Sequence, residues 1–385
     1  MEGNFYSQMK KLINSVDLTK INYKLIKTNI KKLIKVYSEL KKIWYEIDNN
    51  LFQYNIYDIK NNKYNEIINI LNQNFLYNNL NIKKIIFETK YIHCLSYSNI
   101  YFYWLENKGE KNLYDKNYLL GLNMFKISLS LNLYKYNKND DILRYIIWIP
   151  INKKRDFTYN KINKINLKKS QENFEAFVAS GVTFDLNPKI TIITRYEEVE
   201  KLLIHELIHN YNIDGSEFHN QLEKTLLLYN NVKNKGNYHY DYSIYESYTE
   251  MLSTYFYLLF INIKLDLQIN SDELENKLIG QILLELLYSY NLICNLIKLN
   301  DYSTYEEFRT KIAFDGEICK YEYYYIKGLM YNNFELKFGN DLKDFINIYN
   351  RIIVMIEKIK INDDIFIKEI YINCIKQTNY KYQIH

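Results

Sequence analysis

The sequence predicts an α+β chain with a mixed helix and strand region over residues 1–150 and a mostly helical C-terminal half. Three observations lead there. β-Branched and aromatic runs cluster between residues 84 and 150. A further short β run, Ile190-Thr-Ile-Ile193, is followed by helical apolar spacing that recurs through the rest of the chain. Of the 385 residues, 48% are hydrophobic and 25% charged, which suffices for a sizeable core and excludes a disordered chain.

In chain order, residues 20–47 set Leu25, Ile30, Leu33, Ile34, Tyr37 and Leu40 among lysines at helical spacing, giving one long amphipathic helix or two broken near Thr28 and Asn29. The runs Lys84–Thr89, Ile100–Leu105 and Ile142–Ile149 read as strands, with Pro150 closing the last. A helix near 117–131 lies between the second and third. After the strand at 190–193, Thr194 and Glu197 have the spacing of a capping box for the helix that follows. That helix carries Val199, Leu203, Leu207 and Tyr211 along one side. Further helices are expected over 216–232, 242–263, 272–299, 303–314, 341–360 and 364–376.

These elements suggest four segments. Residues 1–150 form the mixed N-terminal region. Residues 151–175 form a basic linker or loop, with Lys153, Lys154, Arg155, Lys161, Lys164, Lys168 and Lys169 against the single acid Asp156 in its core. Residues 176–300 form the segment with the chemistry described below, and 301–385 a helical C-terminal region.

Composition narrows the function. With 50 basic and 45 acidic residues the net charge is +5, too mild for a dedicated nucleic-acid binder. The cysteines Cys94, Cys294, Cys319 and Cys374 are scattered with no CxxC pair, as in a reduced thiol set. No signal peptide is apparent at the N-terminus, and the longest apolar run, 279–297, is interrupted by Gln281, Glu285, Asn291 and Asn295. An intracellular, cytoplasmic protein without membrane contact is expected. The 41 tyrosines against two prolines match AT-rich coding, so Tyr and Asn clusters carry no functional weight by themselves.

One motif carries chemistry. His205-Glu206-Leu207-Ile208-His209 is an HExxH, which on a helix puts both imidazoles one turn apart on one face, within reach of a single tetrahedral metal. Glu206 then stands beside the metal as a general base toward water. Six His and at most 45 Glu placed at random give this pattern only about 0.01 times per chain. The motif is flanked by Leu202, Leu203, Ile204 and Tyr211, and such apolar neighbours exclude water and keep imidazoles neutral.

A catalytic zinc site needs a third protein ligand and one open position. Downstream, Glu246-Ser-Tyr-Thr-Glu250 opens an apolar helix and sets two acids on one face. Glu246 suits the third ligand, and Glu250 suits the partner that fixes the tautomer of a ligating histidine. Glu250, Asp214 and Glu217 remain alternative third ligands. A metzincin arrangement is excluded, because the positions it needs as Gly and His are Asn212 and Gly215. His219 has the wrong offset and reads as a surface helix residue. His93 and Cys94 read as core or strand residues, since a deformylase-type site would need a Gly-rich motif that is absent.

HExxH with a downstream ExxxE on a second helix resembles the gluzincin branch of the zincin metallopeptidases, and HELIH is shared with clostridial neurotoxin light chains. The resemblance covers roughly residues 182–260. It implies a zincin-like domain with an active-site helix and a Glu-bearing helix, and one Zn²⁺ per chain on His205, His209 and Glu246. It implies Glu206 as the catalytic base and Glu250 behind the ligands. A peptide or protein substrate would lie along an edge strand containing Ser180–Phe184. It also implies a Tyr or His near Glu246 that donates to the reaction oxyanion, with Tyr240 preferred and His239 next. The expectation is therefore a zinc metallopeptidase. An inactive zincin-like scaffold, a metal-dependent hydrolase of non-peptide amides, and a nucleic-acid binder using 152–169 stand as alternatives.

Overall fold

A computed structural model describes residues 21–47, 52–74, 80–107, 114–136, 141–150, 181–194, 198–225, 240–265, 270–299 and 319–362. The basic run at 152–169 and the helices expected at 303–314 and 364–376 lie outside them. The chain divides into two units, Ser38–Tyr211 and Met1–Tyr37 with Asn212–His385. The division falls within the first described helix, α1 (Tyr23–Glu46). That helix is unbroken at Thr28 and Asn29. The Thr28 hydroxyl bonds back to the Lys24 carbonyl, so it satisfies itself within the helix.

In the unit Ser38–Tyr211 the elements are β1 (Gln53–Asp58), α2 (Asn62–Asn74), α3 (Leu80–Glu88), β2 (Thr89–Tyr97), β3 (Ile100–Asn107), α4 (Tyr114–Tyr136), β4 (Arg144–Ile149), β5 (Gly181–Phe184), β6 (Lys189–Thr194) and α5 (Val199–Asn210). The strands form one mixed sheet in the order β1-β2-β3-β4-β6-β5. The β3–β4 and β4–β6 pairs are parallel and the others antiparallel. Cross-strand partners Ile56, His93, Trp104, Trp148 and Ile193 put one set of side chains on one face. Helix α4 packs there, with Gly121 close against the Trp104 ring and Phe125 beside Phe102. Ile92, Cys94, Tyr103, Ile147 and Ile192 point to the other face, where Tyr64, Ile67 and Leu71 of α2 and Ile86 of α3 complete a core cluster. Helices on both faces explain why β4 is buried along its whole length and reads RYIIWI without alternation.

The run Lys84–Thr89, expected as a strand, is mostly helix α3, and the strand begins only at Thr89. In α3 Ile86 enters the core while its neighbour Phe87 is 91% exposed. The Thr89 hydroxyl takes the Ile85 carbonyl at the helix end. Local β propensity gives way to this packing. Strands β1 and β2 were not expected as such, although β2 bears out His93 and Cys94 as buried strand residues. Strand β4 ends at Ile149, next to Pro150, as expected.

The other unit contains the first part of α1 and the helices α6 (His219–Thr225), α7 (Tyr240–Lys264), α8 (Ser271–Leu299), α9 (Cys319–Asn333) and α10 (Leu342–Asn362), with a 3-10 turn at Ser216–Phe218. Thus from Val199 on every regular element among the described residues is helical, as expected. Helix α9 was missed. Helix α7 is buried on nearly all sides, including Tyr248, Met251, Leu252, Tyr255, Leu259 and Phe260. Helix α1 joins this unit through polar contacts: Asn29 donates to the Phe334 carbonyl and accepts from the Leu336 amide, and Lys32 bonds Glu335 at 2.6 Å. No helix among the described residues is long and apolar enough to cross a membrane.

Candidate metal centre

Helix α5 follows the buried strand β6 and buries Val199, Leu203, Ile204, Leu207 and Ile208, each worth about 1.5–3 kcal/mol of transfer free energy when fully buried. Its N-cap is Glu198, in the left-handed region at φ 55° and without a side-chain cap bond. The expected Thr194–Glu197 capping box is therefore not the helix start, because Thr194 is spent as the last residue of β6. At the other end the Tyr211 amide reaches the Leu207 carbonyl, and Asn212 takes φ 55°. Asparagine tolerates that conformation and stops the helix just past the motif.

With its apolar side buried, α5 leaves His205 and His209 half-buried on another, their ring centroids 5.1 Å apart and the rings inclined at 78°. Glu206 is only 6% exposed. Its Oε2 accepts from the Thr183 hydroxyl of β5 at 3.0 Å. Opposite Gly181 there is no room to spare: a Cβ there would stand 2.7 Å from Glu206 Oε1 and Cγ.

Glu246 lies in α7, half-buried, in the second turn. One ring nitrogen each from His205 and His209 and a carboxylate oxygen of Glu246 lie within 4.8 Å of one another. Among the described residues this is the one such grouping of three His, Cys, Asp or Glu side chains. Ligands about 2.0–2.2 Å from a tetrahedral zinc are about 3.4 Å apart, and these three side chains are a group that could hold a metal ion. Two imidazoles and one carboxylate are a donor set for zinc that leaves a coordination position open.

Glu250, one turn beyond Glu246, is 7% exposed; its Oε1 accepts from Lys327 Nζ at 3.3 Å and its Oε2 from the Ser253 hydroxyl at 3.3 Å. Lys327 is fully buried and also faces Glu285 at 3.6 Å. The Asp214 carboxylate accepts from the Thr249 hydroxyl at 2.7 Å and the Ser216 amide, while Tyr349 bonds its carbonyl. Burial raises the Tyr349 hydroxyl well above the usual tyrosine range, with Asp214 adding to the effect, so it serves as a donor. Glu217 is exposed and accepts from Asn212 at 3.4 Å. His219 packs against Tyr245, with ring centroids 4.6 Å apart and the rings inclined at 60°. Tyr240 opens α7, but its side chain and all of His239 lie outside the described residues. Burial pushes the Cys94 thiol up to about 12, which leaves it a poor ligand and nucleophile.

Sequence reasoning missed Thr183 and Lys327 as contacts of the two key acids. Neither has a local signal, since each meets its partner only through tertiary structure. No family model, curated protein or solved structure matches this chain.

Proposed function

We propose that the chain is a zinc-dependent metallopeptidase with a gluzincin-type, zincin-like catalytic domain. The observation that supports this reading most is the convergence of His205, His209 and Glu246 donor atoms within 4.8 Å. These three residues hold the metal, and Glu206 lies beside them. When bound, zinc supplies Lewis acidity toward a carbonyl oxygen and lowers the pKa of water toward about 7.

The protein groups do the rest. Glu206 accepts the proton of the attacking water at its carboxylate as the water oxygen bonds the peptide carbonyl carbon. As the C–N bond breaks, Glu206 returns that proton to the departing nitrogen. One water is consumed and the carboxylate is regenerated. β5 is the last strand of the described sheet and touches Glu206 through Thr183. An extended peptide that adds to β5 would have its backbone fixed alongside the base. Tyr240 is retained as the proposed oxyanion donor and Glu250 as the acid behind the ligands.

The test is elemental analysis of the purified, chelator-free protein, followed by a peptide-library screen with Glu206→Gln as the blank. One zinc per chain is expected in wild type and in Glu206→Gln, and none in His205→Ala. Cleavage is expected only in wild type, with Glu206→Gln slower by about 10²–10⁴-fold, the usual share of general acid–base catalysis. Full activity in Glu206→Gln would remove this mechanism. A protein that takes up no zinc would remove the function.

A further inference from the structure

Glu206 can act as a base only if its carboxylate is held in one place, and β5 supplies the hold. A hydrogen-bond chain runs behind it. Arg144 Nε donates to Asn210 Oδ1 at 2.8 Å, and Asn210 Nδ2 donates to Thr191 Oγ1 at 2.9 Å. Thr191 Oγ1 is 3.1 Å from Thr183 Oγ1, which is 3.0 Å from Glu206 Oε2. Arg144, Asn210 and Thr191 are all completely buried.

The direction of this chain follows from chemistry. A guanidinium only donates, so Asn210 must turn its oxygen to Arg144 and its amide nitrogen to Thr191. Thr191 therefore accepts and has its own proton for Thr183. Thr183 in turn accepts from Thr191 and donates onward. Two acceptors stand at 3.0 Å from its hydroxyl, the Glu206 carboxylate and the Glu206 main-chain carbonyl. The carboxylate, being charged, is the stronger acceptor. Every bond then points from a buried cation toward the acid, and bonds aligned in this way polarise one another. The cation is itself fixed, against the Tyr136 and Tyr211 rings at 5.4 and 5.0 Å and on the Ile142 carbonyl.

We infer that Thr183 is the positioning residue of Glu206, the terminal donor of a directional chain that starts at Arg144. The inference rests on the reading of Glu206 as the base, but its placement can be tested without turnover. Crystal structures of wild type, Thr183→Val, Thr183→Ala and Thr183→Ser would be compared. Glu206 is expected on β5 in wild type and Thr183→Ser, and turned away from β5 in Thr183→Val and Thr183→Ala. Zinc content should stay the same in all four. On a peptide from the library screen, Thr183→Val should lower kcat by about 10- to 100-fold, the scale of a lost hydrogen bond to a charged group. KM should hold, and Thr183→Ser should restore the rate. Glu206 in its wild-type position in both Thr183→Val and Thr183→Ala would overturn the inference, as would an unchanged kcat. Wild-type turnover equal to that of Glu206→Gln would instead count against Glu206 as base, and the crystal structures would still decide the role of Thr183.

Discussion

Gly181 is defined by the side chain it faces. The atoms a Cβ would strike are Cγ, Cδ and Oε1 of Glu206, which can swing away only by giving up its bond from Thr183. Gly181→Ala should therefore lower unfolding free energy by about 1.5–3 kcal/mol, the scale of a lost hydrogen bond to a charged group, and displace the base, where a misplacement of about 1 Å costs on the order of 10²-fold in rate. Parallel denaturation and kinetics would check both halves. His93 makes a different prediction. Its ring is 1% exposed, bonded to Tyr54 at Nδ1 and to Glu106 at Nε2, and burial lowers its pKa despite the Glu106 carboxylate. Below about pH 6.5 the unfolded chain takes up a proton that the native His93 resists, so stability falls as pH drops from there to the lower native pKa. Urea titrations at several pH values should show that slope, at most about 1.4 kcal/mol per pH unit, and His93→Gln should lack it. At this scale the motif residues were legible, because HExxH needs only one helix to bring its members together. Thr183, Asn210 and Arg144 were not, because a strand, a helix and a second strand must pack before their polar atoms meet.

The helices and strands were legible where periodicity was long, and misread where it was short. Helices α7, α8 and α10 fall within about two residues of expectation, the ordinary uncertainty of helix ends. The run at Lys84–Thr89 failed because six residues can satisfy either period, and only the core beside Ile86 decides. The Thr194 cap failed because the strand before α5 runs on through that residue. Helix α9 holds a feature that no pattern announces, the buried Lys327 facing Glu250 of α7 and Glu285 of α8. Removing one member of such a buried group leaves charge without compensation and costs about 3–5 kcal/mol. Lys327→Met should destabilise by roughly that amount in urea unfolding. Adding Glu250→Gln and Glu285→Gln to it should recover a large part. A loss under about 1 kcal/mol for Lys327→Met would mean that the acids are already neutral or hydrated.

At the scale of the whole chain, strand content was visible but strand order was not, since parallel neighbours such as β4 and β6 are joined by long connections rather than hairpins. Equally invisible was the membership of α1. Asn22 meets Asn332 across 310 residues of sequence, and Asn29 reaches Phe334 in the same way. During synthesis at roughly 5–20 residues per second, α1 leaves the ribosome about 15–60 s before these partners exist. The helix is thus secured only after partners about 300 residues further on have been made. Until then, the side-chain amide of Asn29 lacks the Phe334 carbonyl and the Leu336 amide that it binds in the folded chain.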